Sequence, residues 1–200
     1  MVKQFYPAVV ITIVLTLLLG VIYPLVVTGL AQVIFPHQAN GSLIVQNGKV
    51  VGSELIGQAF TGPGYFHSRP SAAGTGNGYD ATASNGTQLG PTSQALFDQH
   101  IKPAADALHA ENPNAPIPVD LVTSSASGLD PDITPAGAEF QVPRVAKERG
   151  ASEDQVRVLV STCTQGRQFG ILGEPRVNVL RLNLALDKAY PGKAVQNPQK

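Results

Sequence analysis

Chemistry in this chain would have to come from four histidines, a loose set of aspartates, a serine-rich run and a glycine-rich run. His37, His67, His100 and His109 are scattered, and none pairs at ligand spacing with another His or with Cys163, so the pattern of a zinc site is missing. Asp120, Asp130 and Asp132 could collect a calcium ion, but the latter two precede a helix start, where negative charge is favoured for its own sake. Ser124-Ser125-Ala126-Ser127-Gly128 fits no Gly-x-Ser-x-Gly nucleophile elbow. Gly74-Thr75-Gly76-Asn77-Gly78 has neither the spacing nor the preceding strand of a dinucleotide site and reads as flexible. No phosphate-binding Gly-x-x-x-x-Gly-Lys-Ser/Thr loop occurs. These residues therefore name no catalytic group and no metal ligand, and any cofactor-binding residue is unknown.

The elements around them are clearer. Ser42–Gln46 and Lys49–Gly52 flank Asn47-Gly48, the strongest short-range signal for a tight β-hairpin. The stretch to Pro91 is rich in Gly, Ser, Asn and Thr and reads as a long ordered loop, with Tyr65-Phe66-His67-Ser68-Arg69-Pro70-Ser71 as its aromatic and basic island. Phe97, Ile101, Ala104, Ala105 and Leu108 make an apolar stripe of helical period, which Pro103 should kink or divide. Val119–Thr123 predicts a short strand. Thr134-Pro135 predicts a capped helix start with Asp130 and Asp132 ahead of it, and Lys147, Arg149 and Gly150 its end. Ser152–Gln155 has capping-box spacing and opens a helix in which Val156, Leu159, Val160 and Cys163 face inward. Leu180, Leu182, Leu184 and Leu186 alternate, which predicts a half-buried strand over Val177–Leu186.

What decides the solvent for all of this is Ala8–Phe35, a run without a charged residue. As a helix it reaches about 42 Å against roughly 30 Å of bilayer hydrocarbon, so it can span with tilt or a protruding end. Gly29-Leu30-Ala31 resembles a signal-peptidase site, but a cleaved signal carries an apolar core of only about 7–15 residues. Lys3 and the amino terminus are the positive charges near the span's ends, which places the N-terminus in the cytoplasm and the rest outside. Thr12, Thr16 and Gly20, continued by Pro24 and Thr28, form a row along which another helix could approach. Pro24 should kink the span near Gly20.

The expected organisation is a short cytoplasmic N-terminus (1–7), a transmembrane helix (8–35), one mixed α+β extracytoplasmic domain (36–190) and a flexible tail (191–200). Fourteen acidic and 14 basic residues argue against nucleic acid as a partner. A lone cysteine permits no internal disulfide.

Several motifs in order resemble one family. These are the single N-terminal span, Tyr65-Phe66-His67-Ser68-Arg69-Pro70-Ser71-Ala72, Leu89-Gly90-Pro91, Asp120–Asp130, Gln141-Val142-Pro143-Arg144-Val145-Ala146, and Gly173 with Val177–Asp187. Together they resemble the C subunit of the bacterial Kdp potassium-transporting ATPase. The resemblance implies a non-catalytic accessory subunit in the bacterial cytoplasmic membrane. Its partners would be a channel-like potassium-binding subunit, a P-type ATPase subunit and a small hydrophobic subunit. The family member has been described as a catalytic chaperone that raises the pump's ATP affinity, so ATP is a possible ligand by resemblance alone; no cofactor is expected to be firmly bound. No Asp-Lys-Thr-Gly-Thr phosphorylation sequence occurs here, so this chain is not the phosphorylated pump. ATP contact also conflicts with an outside domain, because ATP is cytoplasmic. The alternatives are a membrane-anchored ligand-sensing module or an anchored extracytoplasmic enzyme, for which no nucleophile–base pair is recognisable.

Overall fold

The computed structural model describes residues 2–76 and 78–191 in two compact units, one ending at Val51 and the other starting at Gly52. Past Pro191, the expected flexible tail lies outside the described residues.

In the first unit the apolar run forms α1 (Val2–Leu17), a wide π turn (Leu18–Ile22) and α2 (Tyr23–Ile34). Pro24 has no N–H to give the Gly20 carbonyl, and the ladder changes step just before it, with the Tyr23 N–H donating to Leu18 O. The kink expected near Gly20 is thus expressed as a π turn. Among the described residues this is the one helix long and apolar enough to cross a membrane, from Lys3 to Ile34, and its large apolar side chains are exposed. Phe35 breaks the helix and a single turn, α3 (Pro36–Ala39), follows. Strands β1 (Leu43–Gln46) and β2 (Lys49–Ser53) then pair around Asn47 and Gly48, whose φ of 50° and 75° are what the expected two-residue turn demands.

Among the described residues of the second unit, the segment from β2's end to Pro91 carries no helix or strand, as expected for a long loop. It is not slack: Gly74 and Gly78 take φ of 76° and 74°, and a Cβ at Gly78 would stand 2.6 Å from that of Ser71. The glycines expected to confer flexibility instead permit a close turn. The stripe from Phe97 becomes α4 (Gln94–Leu96), a second π turn (Phe97–Ile101) and α5 (Lys102–Glu111). Pro103 is accommodated as Pro24 is, with the Lys102 N–H reaching Phe97 O, so the helix widens where a kink or break was expected.

Helix α6 (Pro135–Arg149) starts at Thr134, whose hydroxyl accepts from the Gly137 N–H at 2.9 Å, and ends at Gly150 in the left-handed region. Helix α7 (Glu153–Cys163) opens with both halves of the Ser152/Gln155 capping box. A three-stranded antiparallel sheet has β5 (Arg176–Asn178) between β3 (Asp132–Ile133) and β4 (Thr164–Gln165).

Two strand expectations fail. Val119–Leu121 is a 3-10 turn, closed by Thr123 Oγ1 donating to Val119 O at 2.8 Å. The leucine-rich stretch is α8 (Val179–Ala189), capped by Asn178, whose side chain accepts from the Arg181 N–H. Leu182 and Leu186 are buried with Val179 and Asn183 at helical spacing, whereas Leu184 is only half-buried. Alternating leucines satisfied both periods, and the cap decided between them. Phe66, Val142, Val145, Val156, Val177, Leu182 and Leu186 form the heart of the core. Leu159 and Cys163 pack on its margin, and burial pushes the Cys163 thiol up.

Candidate functional site

Tyr65–Ser71 runs through the second unit with no strand beside it, although Phe66 is fully buried. Its backbone must still find partners, because an unpaired buried N–H or C=O costs about 1–3 kcal/mol. Two carboxamides supply them. Asn183 on α8 accepts from the Phe66 N–H at 2.8 Å and donates to the Phe66 carbonyl at 2.9 Å. Gln141 on α6 does the same for His67, at 2.7 and 3.1 Å. Each amide reproduces what a neighbouring strand would offer, and its oxygen and nitrogen are oriented by that pairing.

Arginines from α6 hold the segment's entry. Arg144 donates to the carbonyls of Pro63 and Tyr65 and to Gln141 Oε1, and pairs with Glu111 at 2.8 Å. Arg149, with only 5% of its side chain exposed, donates to Gly64 O, pairs with Asp187 at 2.8 Å and lies 4.5 Å over the Tyr65 ring. Tyr65 in turn donates its hydroxyl to Asp187 at 3.1 Å. Burial, then the Asp187 charge, pushes the Tyr65 phenol up. His67 is held below its usual range by burial and the neighbouring Arg144, and a ring nitrogen lies 3.0 Å from Gly62 O.

The segment's exit is fastened to the loop after the 3-10 turn. Arg69 pairs with Asp130 at 2.8 Å and donates to Thr123 O. Ser71 Oγ donates to Gly128 O at 2.6 Å and accepts from the Ala73 and Tyr79 N–H groups. Tyr79 donates its hydroxyl to Arg69 O, and burial pushes its phenol to about 12.

The three aspartates singled out as possible calcium ligands do border one pocket, but each is already engaged. Asp120 accepts from the N–H and hydroxyl of Thr134 at 2.7 and 3.1 Å, Asp130 holds Arg69, and Asp132 pairs with Arg176 at 3.0 Å. Burial raises the Asp132 carboxyl, with Arg176 opposing. The carboxylate at the start of α6 is therefore Asp120, from fourteen residues upstream, and not Asp130 or Asp132 as expected. Gly137 makes room for this carboxylate, since a Cβ would sit 2.7 Å from Asp120 Oδ2 and the Asp120 side chain would have to shift. Among the described residues no group of three or more His, Cys, Asp or Glu could hold a metal ion.

The motifs read separately along the chain are thus parts of one network. Tyr65–Ala72 is the segment, Gln141–Ala146 and Val177–Asp187 carry its amides and charges, and Asp120–Asp130 carries its exit. Leu89 and Pro91 wall a shallow cleft of about 280 Å³ beside Pro70 and Ser71. Gln141, Arg144 and Asn183 entered the sequence reading only as members of motifs, and Arg149 only as a cation in the last turn of its helix. The available signal was a carboxamide on the inward face of an amphipathic helix: Gln141 between Ala138 and Val142, Asn183 between Leu182 and Leu186. Chemically the arrangement is a fastening, with its charges consumed internally.

A family profile described as "KdpC: K+-transporting ATPase, c chain" matches residues 5–188. A Potassium-transporting ATPase KdpC subunit of Koribacter versatilis is 61% identical over 94% of this chain and 96% of its own length. The same-named subunit of Rhodopseudomonas palustris strain BisB18 is 57% identical over 94% of this chain and 100% of its own. That of Acidobacterium capsulatum is 60% identical over 92% and 97%. With a match that runs from the apolar helix through α8, the chain belongs to the KdpC family, the c chain of K+-transporting ATPases.

Proposed function

We propose that the chain is the accessory, non-catalytic subunit of an ATP-driven potassium uptake complex, and that it completes the assembly on which the P-type ATPase subunit depends. The observation that carries this reading is that the family match takes in both the exposed apolar helix and the folded domain, in relatives named as potassium-transporting ATPase subunits. The internal use of Arg69, Arg144 and Arg149 supports a scaffold over a catalyst. The partners are a channel-like potassium-binding subunit, the P-type ATPase subunit and a small hydrophobic subunit, in the bacterial cytoplasmic membrane. Lys3 at the amino end of the span supports an inside N-terminus and an outside domain. In that orientation the domain acts on the pump's ATP affinity through the complex, without touching ATP.

Potassium uptake in a strain lacking this chain tests the proposal. The full chain should restore growth at low external potassium. The domain from His37 onward on an unrelated span, or the native span alone, should not. Restoration by the domain on a foreign span would reduce the native helix to a tether, and restoration by the span alone would remove the domain from the function. The same strain carrying Asn47→Cys with Cys163→Ser should react with an impermeant thiol reagent in intact spheroplasts. Reaction only after lysis would reverse the orientation.

A further inference from the structure

Pro24 and Pro103 leave the same backbone group without a donor, in two different solvents. An α-helical carbonyl accepts from the N–H four residues on, and a π turn moves the bond one residue further. Just before Pro24, the Tyr23 N–H donates to Leu18 O, so the Leu19 carbonyl loses its donor four residues on. Its donor five residues on would be Pro24, which has no N–H. In the other helix the Lys102 N–H donates to Phe97 O, and Asp98 O is stranded in the same way between Lys102 and Pro103.

Asp98 lies on an exposed stretch of helix, where water serves as the donor. Leu19 has no such recourse. At about 1.5 Å per residue it stands about 24 Å from Lys3 and about 23 Å from Ile34, the ends of the span. That puts its carbonyl near the middle of roughly 30 Å of hydrocarbon, where an unpaired backbone group is costly. A proline step at that depth is repaired by a neighbouring helix, a nearby hydroxyl or a trapped water.

The span's own side chains do not make the repair. The Thr12 hydroxyl donates to Ala8 O at 2.8 Å, Gln32 is paired with Asn40, and among the described residues no side chain donates to Leu19 O. Access is open on the Gly20 side, since a Cβ there would meet nothing nearer than Thr16 Cγ2 at 4.0 Å. The Gly20 carbonyl loses Pro24 as its donor too, which widens the target. Acyl chains carry no donor, and the headgroups are about 15 Å away. A second copy of this chain in the same orientation would bring Leu17–Ile22 to that level, a stretch with no donor side chain. The donor has to come from a different helix.

We infer that the Leu19 carbonyl accepts, at the bilayer midplane, a hydrogen bond from a hydroxyl, carboxamide or cationic side chain on a transmembrane helix of another subunit. The inference rests on the reading of this chain as a subunit of a complex, and it specifies the chemistry that the span must meet there.

The test places leucine labelled with heavy carbon and oxygen in its carbonyl at position 19 by nonsense suppression. Infrared difference spectra then read the isotope-shifted amide I band in the full chain alone and in the purified complex, both in lipid nanodiscs. Alone, the label should absorb at the high frequency of an unbonded amide, and on assembly its band should shift down. The same label at Leu15, in the regular ladder of α1, should absorb at the bonded frequency in both samples. Pro24→Ala returns the missing N–H and should bring the Leu19 band down in the chain alone, with the assembly shift lost. An unshifted band on assembly would overturn the inference. So would a bonded frequency in the chain alone, whether from water, shown by a change on transfer to deuterium oxide, or from a second copy, shown by dependence on the number of chains per disc. Failure of the complex reading would show separately, as absence of any other membrane subunit from the purified sample, and both would then fall.

Discussion

The two units of this chain solve opposite problems. The first, up to Val51, displays its apolar side chains and closes its backbone hydrogen bonds internally, as hydrocarbon demands, except where Pro24 frees the Leu19 and Gly20 carbonyls. The second buries a core of apolar side chains, although Leu55, Phe97, Val119, Val158 and the turn at Phe169–Leu172 stay exposed, and uses buried polar groups to hold a segment that has no strand partner. The first has no buried core until something covers it; the second has a core of its own. Substitutions should therefore separate cleanly, with association lost in one unit and folding lost in the other.

The largest effect belongs to the second unit. Asn183→Leu keeps the side chain's approximate volume but orphans the Phe66 N–H and C=O, each worth about 1–3 kcal/mol when buried and unpaired. A combined loss of about 4 kcal/mol would lower Tm by on the order of 10 °C in a domain of this size. Thermal unfolding followed by near-UV circular dichroism checks it. A shift of only a degree or two would mean that water reaches the segment, and that the amide is not its partner.

The next largest belongs to the first unit. Gly20 sits in the row with Thr12 and Thr16, and a Cβ there would meet nothing nearer than Thr16 Cγ2 at 4.0 Å. Gly20→Leu should leave insertion and the domain's melting unchanged. It should lower the yield of co-purified subunits several-fold if that face packs against a neighbouring helix. Undiminished yield would move the intramembrane contact to another face.

Legibility followed the same division. Features whose partners lie within a few residues were readable: the charge-free run, Asn47-Gly48, the Thr134 cap, the Ser152/Gln155 box. Pro24 and Pro103 marked the right places, but whether a helix kinks or widens depends on the whole turn preceding the proline, and both widen. The segment at Tyr65–Ser71 stood out by composition, yet its partners are 117 residues away at Asn183 and 74 away at Gln141, and no local rule reaches that far. Val119–Thr123 failed as a strand for a related reason, since Asp120 is drawn to Thr134 and Thr123 folds back on Val119. In α8 the signal was local and overlooked: Asn178 is an N-cap three residues before the Arg181 N–H it accepts.

The smallest expected effect is a pH dependence confined to the second unit. His67 lies among Arg144, Glu111 and the Gly62 carbonyl, and burial followed by the Arg144 charge holds its folded pKa below the unfolded value of 6.5. The unfolded chain therefore takes up the proton first. The stability attached to neutral His67 is fully present above about pH 6.5 and is lost as pH falls through the folded pKa. Asp132, raised by burial, contributes with the opposite slope, but in the carboxylate range at lower pH. Between pH 7 and 5 the domain's Tm should drop by a few degrees, at roughly 2–4 °C per kcal/mol. His67→Gln, which cannot take the charge, should flatten that drop even if its Tm at pH 7 is lower. The helix unit has no titrating side chain between Lys3 and Phe35 outside its tyrosines, so helicity of the span in detergent should not change over the same interval. An equal drop in the His67→Gln domain would transfer the effect to the carboxylates and leave the histidine a purely structural donor.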